Sequence, residues 1–191
     1  LSVTVVDAEE PDALIPLVAD ADIVTLIGTK LPTKVVEAMT RCRAIARMGA
    51  GTDKIDVARA TELGIVVANT PYFCVEEQAD HAMAMLLSLA RRLTQAQNGM
   101  AEGNLVRARS GVGSSHRIST TTLGLVGFGR SAVHMARRAR GFGMRVLATR
   151  RNRNAPTDEA DALGVEMTDL DTVLAESDFV SLHLPLSSAT H

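Results

Sequence analysis

The stretch "TLGLVGFGRSAVHMARRARGFGMRVLATRRNRN", residues 122 to 154, decides the fold. An apolar run turns through Gly127-Phe128-Gly129-Arg130-Ser131-Ala132, continues with helical spacing to a glycine stop near Gly141, and returns as a second apolar run, "MRVLATR". The turn fits G-x-G-x-x-G/A, and its place between a strand and a helix is the context in which that pattern reads as a dinucleotide fingerprint. Gly127 permits the tight turn, and Gly129 lets backbone amides approach a pyrophosphate at the positive end of the helix. Ala132 stands in the third glycine position, so helix and strand are expected slightly farther apart. A glycine-rich turn without a ligand is the plainer alternative.

In such a unit the second strand ends on a residue facing the adenine ribose, about 20 positions after the fingerprint. Arg150 stands there, 23 residues after Gly127. A carboxylate would accept hydrogen bonds from the ribose hydroxyls and repel a 2′-phosphate, whereas an arginine does the reverse. Arg150, Arg151 and with them Arg153 therefore predict NADP over NAD. The open alternative is that these arginines stack on adenine or face solvent.

Outward from this stretch the pattern repeats. After it come "ADALG" as the end of a short helix, "VEMTD" as a strand, "LDTVLAES" as a helix and "DFVSLHLP" as a fourth strand. Before it, "SVTVVD" (2 to 7), "DIVTLIG" (22 to 28), "AIARMG" (44 to 49) and "IVVAN" (65 to 69) read as strands. Helical stretches alternate with them at 12 to 19, in "PTKVVEAMTRC" and in "DVARATELG". Strands rich in Val and Ile alternating with helices imply parallel sheets covered on both faces, an α/β class. Residues 76 to 93 read as one long helix, with acids in the first turn and arginines in the last as the helix dipole favours. Its centre is apolar all round, so it is expected to be buried between layers or domains. The Gly-, Ser- and Asn-rich residues after it read as a connection.

Composition narrows the class. The 191 residues are 46% hydrophobic and 22% charged, ordinary for a globular protein, and aromatics make up only 3%, so aliphatic side chains must do the packing. Two cysteines make no disulfide framework and, with no basic-then-apolar leader, suggest a reducing cytoplasm. No apolar run reaches the roughly 18 to 20 residues that span a bilayer. The net charge of −2 hides an asymmetry: Gly103 to Thr157 holds eleven arginines and no acid, leaving −13 elsewhere. A +11 stretch suits an anionic ligand, although it also suits a solvated surface. No nucleic-acid module surrounds these arginines, which disfavours nucleic acid as the partner. The chain begins on Leu1 and stops just after its last strand, so both ends read as cut.

Four stretches resemble the D-isomer-specific 2-hydroxyacid dehydrogenase family, which includes phosphoglycerate dehydrogenases, glyoxylate/hydroxypyruvate reductases and C-terminal-binding-protein corepressors. They are "ARMGAGTDKIDVARATELGIVVANTP" (46 to 71), "VEEQADHAMAMLLSLARR" (75 to 92), "TLGLVGFGRSAVHMARRARGFGMRVLA" (122 to 148) and "LDTVLAESDFVSLHLPL" (170 to 186). The resemblance implies a flavodoxin-like substrate domain over 1–95, including an interdomain helix at 76–93, and a Rossmann cofactor domain over 96–191. Both domains would be incomplete here, with the active site in the cleft between them. It places the amides of Ala50 and Gly51 on the substrate carboxylate, and Arg130 and Ser131 on the pyrophosphate beside Gly127 and Gly129. His183, Leu184, Pro185 and Leu186 would lie along the adenosine, with Thr70 and Cys74 near the nicotinamide half. Cys74 reads equally well as a small packed thiol.

The activity so implied is hydride transfer at C2 of a small 2-hydroxy or 2-keto acid, with NAD or NADP as cofactor and no metal. The family's catalytic arginine, glutamate and histidine would follow His191, so the supplied chain alone would lack turnover. Family members are commonly dimers through the cofactor domain, which makes a homodimer the expectation. The rival reading is a nucleotide-sensing, corepressor-like interaction protein. None of the five histidines matches the catalytic one, and His81, His116, His134 and His183 read as structural.

Overall fold

The computed structural model describes residues 2–8, 10–110, 116–152, 154–185 and 189–190. It divides into two compact units, Leu1–Phe73 and Cys74–His191.

In the first unit α1 (Pro11–Val18), β1 (Ile23–Leu26), α2 (Thr33–Glu37), β2 (Ala44–Arg47), α3 (Val57–Glu62) and β3 (Val66–Asn69) follow in strict alternation. The strands pair in parallel in the order β1-β2-β3, with Ile23 opposite Ala44 and Ala44 opposite Val66. Pro11 suits the first turn of α1, where its missing N–H is no loss. Asp56 starts α3 by accepting from the Arg59 amide at 3.0 Å and from the Thr33 hydroxyl at 2.6 Å. That hydroxyl and amide hold the Asp56 carboxyl below the usual range. Leu14, Val18, Leu26, Leu31, Val35, Val36, Ile45, Ile55 and Ile65 form the core.

The expected strand at 2–7 does not form. Ser2 to Ala8 pair with no strand among the described residues, and Val3 and Val5 are 78% and 92% exposed. Alternating valines mark a chain able to be a strand, but a strand exists only where a neighbour takes its N–H and C=O groups.

The second unit runs α4 (Val75–Ala90), α5 (Leu93–Ala101), α6 (Leu105–Arg109), β4 (Thr122–Val126), α7 (Arg130–Gly141), β5 (Arg145–Thr149), α8 (Asp158–Leu163), β6 (Glu166–Met167), α9 (Leu170–Glu176) and β7 (Phe179–Leu182). Its sheet is wholly parallel in the order β6-β5-β4-β7. The strand before the fingerprint is therefore flanked on both sides. After β6 the chain crosses back to β7 on the far side of β4, which makes the end of β4 a switch point. Leu123, Leu125, Met135, Ala136, Ala139, Val146 and Ala148 build the core beneath α7, with Ala79, Met83 and Leu86 of α4 in the same cluster.

Two helical expectations need correction. The helix at 76–93 is not buried all round: Ala79, Met83 and Leu86 face the core, while Met85 and Leu89 are 52% and 72% exposed. It also ends early, because Arg92 takes a left-handed φ of 52° before α5 begins. The connection after it contains two short helices. They bury only Gly99 and Ala108, too little to print an apolar stripe on the sequence. The division between the compact units falls at Phe73 and Cys74, not at 95 and 96.

Candidate functional site

The fingerprint turn stands where β4 gives way to α7. Gly127 takes φ +95°, a conformation that favours glycine, and a Cβ there would collide with the His183 carbonyl. Its amide donates to Thr149 O at 3.0 Å and so ties the turn to the end of β5. Gly129 is the N-cap of α7, and a Cβ on it would meet no atom within 4 Å. The first helical bond runs from the Val133 amide to Gly129 O at 3.0 Å, so the Ser131 and Ala132 amides have no partner within the helix. Open space, amides without helical partners and the positive end of a twelve-residue helix meet at one place, which suits a pyrophosphate. Ala132, in the third glycine position, is fully buried in the core.

The end of β7 packs against this turn. The His183 amide donates to Val126 O at 2.8 Å, and the imidazole bridges two hydroxyls, Ser131 Oγ at 3.0 Å from Nδ1 and Ser181 Oγ at 3.0 Å from Nε2. Burial pushes the ring's pKa below its ordinary value, so it sits between the serines as a neutral imidazole. Of the expected cofactor residues, Gly127, Gly129, Arg130, Ser131, His183 and Leu184 thus lie on or beside the turn, and Pro185 follows them. Leu186 lies outside the described residues, as does Arg153. The Ser131 hydroxyl faces His183. The contribution of Ser181 was not legible, because it depends on β7 lying next to β4.

Arg150 ends β5 as expected, but its Nη2 donates to the carbonyls of Ala155 and, at 2.9 Å, Pro156. Its Nε is buried with no hydrogen-bond partner among the described residues. With Thr157, Met167, Thr168 and Asp169 it lines a cavity of about 290 Å³. Arg151 is exposed.

Folding neutralises part of the +11 stretch. Arg107 pairs with Glu102 at 2.5 Å, Arg138 with Asp80 at 2.5 Å, and Arg145 with both Glu166 and Glu176 at 2.7 Å. Folding returns acids from outside the stretch to it, which charge counted along a chain cannot show. The Arg138 guanidinium holds the Asp80 carboxyl below its usual range, and Arg145 does the same to Glu166.

In the first unit Ala50 and Gly51 lie on an exposed loop after β2. Gly49 takes φ +155°, with the Arg47 guanidinium filling the space a side chain would need. The amides of Ala50 and Gly51 have no acceptor among the described residues. Thr70 donates to Gly49 O at 3.1 Å and accepts from Phe73. Cys74 opens α4 in a left-handed conformation, φ 56°, and is half-buried. Cys42, the other free thiol, is buried and its pKa is pushed up by that burial. Among the described residues no cluster suits a metal ion, and no helix is long and apolar enough to cross a membrane.

A parallel sheet in the order 3-2-1-4, with a glycine turn feeding a helix at its switch point, defines a dinucleotide-binding protein. Residues 83–191 match the NAD binding domain of D-isomer specific 2-hydroxyacid dehydrogenases, and the chain belongs to that family. It is 41% identical over 93% of its length to a glyoxylate reductase of Korarchaeum cryptofilum, covering 54% of that protein. It is 38% identical over 94% of its length to the chloroplastic D-3-phosphoglycerate dehydrogenase 2 of Arabidopsis thaliana, covering 28% of it. Among solved structures, a D-lactate dehydrogenase from Aquifex aeolicus complexed with NAD and lactic acid superposes with a TM-score of 0.84 at 29% identity, over 93% of this chain and 52% of that one. The chain spans about half the length of the glyoxylate reductases it matches.

Proposed function

We propose that the chain supplies the cofactor-binding turn and the substrate-binding loop of an NAD(P)-dependent oxidoreductase acting on small D-2-hydroxy and 2-keto acids. The observation that carries this reading is the fingerprint turn, open at Gly129 and set on the central strand at the N-terminus of α7. Relatives named glyoxylate reductase and hydroxypyruvate reductase support the substrate class. By role, 1–95 is the substrate portion with its helix at 76–93, and 96–191 the cofactor portion. The protein works as a cytoplasmic homodimer joined through the cofactor portion.

When bound, the nicotinamide cofactor supplies the hydride exchanged with C2 of the acid. The chain's own work is to hold and orient. The turn amides at Gly129 to Ser131 take the pyrophosphate, Arg130 adds charge beside it, and His183 to Leu186 follow the adenosine. Thr70 and Cys74 lie toward the nicotinamide half, and the amides of Ala50 and Gly51 hold the substrate carboxylate. His183 is not the acid/base of the reaction, since both its ring nitrogens are engaged and burial opposes its protonation. The arginine, glutamate and histidine that complete the family's chemistry have no counterpart within the 191 residues, and on this reading the chain alone binds cofactor without turnover.

The cofactor is NADP in preference to NAD. The end of β5 carries Arg150 and Arg151 in place of an acid, and Arg150 Nε still has a hydrogen bond to give. Fluorescence titration should show NADPH binding more tightly than NADH, and Arg150→Asp should reverse the order by roughly 1 to 3 kcal/mol, the worth of one charge-assisted contact. Equal affinities would remove Arg150 from the site. Failure of both nucleotides to bind would remove the cofactor assignment itself.

A further inference from the structure

Arg47 and Asn69 end β2 and β3 as register partners, side by side at the C-terminal edge of the first sheet. Between them runs the loop Met48–Gly51, and each of its four carbonyls meets a donor. Met48 O accepts from Arg47 Nη1 at 2.6 Å, and Gly51 O from Arg47 Nε at 3.1 Å. Ala50 O accepts from Asn69 Nδ2 at 2.7 Å, and Gly49 O from the Thr70 amide at 3.1 Å. The Met48 and Gly49 amides are also spent, on Leu26 O and Arg47 O, both at 2.9 Å.

We infer that Arg47 and Asn69 are positioning residues that make this loop an anion receptor, by turning its carbonyls inward so that only the Ala50 and Gly51 amides face an incoming carboxylate. The inference rests on the reading of Ala50 and Gly51 as the carboxylate site.

The physical reason is one of sign. A free loop presents N–H and C=O groups in equal number, and a carboxylate gains from the first and is repelled by the second. Committing four carbonyls leaves the two amides as the loop's outward dipoles, a nest set against the Asp53 carboxylate that lies beside Gly51. The two side chains divide the task by shape. The Arg47 fork reaches two carbonyls three residues apart, which a single ammonium cannot do. Asn69 supplies one N–H to the Ala50 carbonyl, and because that C=O and the Gly51 N–H point to opposite edges of one trans peptide plane, holding the first inward turns the second outward.

The test is a ¹⁵N-NMR titration of the protein with oxamate, with NADPH present, following the amides of Ala50 and Gly51. Wild-type protein should show both amides moving with saturation. Arg47→Lys, which keeps the charge, and Asn69→Leu, which keeps the volume, should each weaken that binding about fivefold to tenfold, the worth of roughly one hydrogen bond. Affinity for NADPH should not change. The resonances of Ile45 and Val24 report whether the first unit stays folded; should Asn69→Leu collapse them to random-coil positions, Arg47→Lys decides alone. Unchanged oxamate affinity in folded variants would overturn the positioning role and leave the carboxylate loop standing. Wild-type amides that do not respond to oxamate would overturn both.

Discussion

At the scale of single residues, His183 shows how one buried ring ties the end of β7 to the turn after β4. Its ring is held between Ser131 and Ser181, and burial places its folded pKa below the ordinary value of about 6.5 for the unfolded chain. A base with a depressed folded pKa contributes stability that is whole above the unfolded pKa and is lost as pH falls through it, because unfolding then takes up a proton. The melting temperature of the wild type should accordingly drop between pH 7.5 and 5.5. His183→Gln should flatten that drop, and an equal slope in the two proteins would show that the ring does not titrate on unfolding. Much of the cofactor turn was legible because its requirements are local: Gly127 needs its φ whatever the rest of the chain does. The Arg47 and Asn69 clasp was not, since nothing in the sequence says that residues 22 positions apart end neighbouring strands in register. Both are polar residues terminating apolar runs, and that was the available signal.

At the scale of elements, helices α5 and α6 are the informative case. Gly99 of α5 lies so close to Ala108 of α6 that a Cβ on it would collide with the Ala108 backbone amide. Backbone cannot rotate aside as a side chain can, so Gly99→Ala should cost about 1 to 3 kcal/mol by overpacking, against the gain alanine usually brings inside a helix. Urea denaturation measures this, and a stabilised variant would mean that the two helices separate freely. Most of the strands were readable because they are short apolar runs between turn signals, the two-residue β6 being the exception. The pair α5 and α6 was hidden because small residues pack closely without leaving a hydrophobic period. The segment 2–8 failed in the opposite sense, having a strand's pattern without a strand's neighbour among the described residues.

At the scale of the molecule, the two cores draw on separate stretches of chain. One is built from residues up to Val67, the other from Ala79 onward. A ligand stabilises the structure that binds it, by about 2.7 kcal/mol at a hundredfold excess over its Kd. NADPH should therefore slow hydrogen exchange in Leu123, Leu125, Val146 and Ala148 and leave Ile45 and Val36 unchanged. Equal protection of both sets would show that the units unfold as one. The charge asymmetry belongs to this scale also, as the pairing of Arg138 and Arg145 with distant acids became visible only in three dimensions. The division at Phe73 and Cys74 has a genetic meaning as well. Because each core draws on one uninterrupted stretch, a crossover at that joint cuts neither cluster. Recombination there exchanges the stretch up to Phe73 between relatives while the fingerprint turn and its serine-flanked histidine are inherited unaltered.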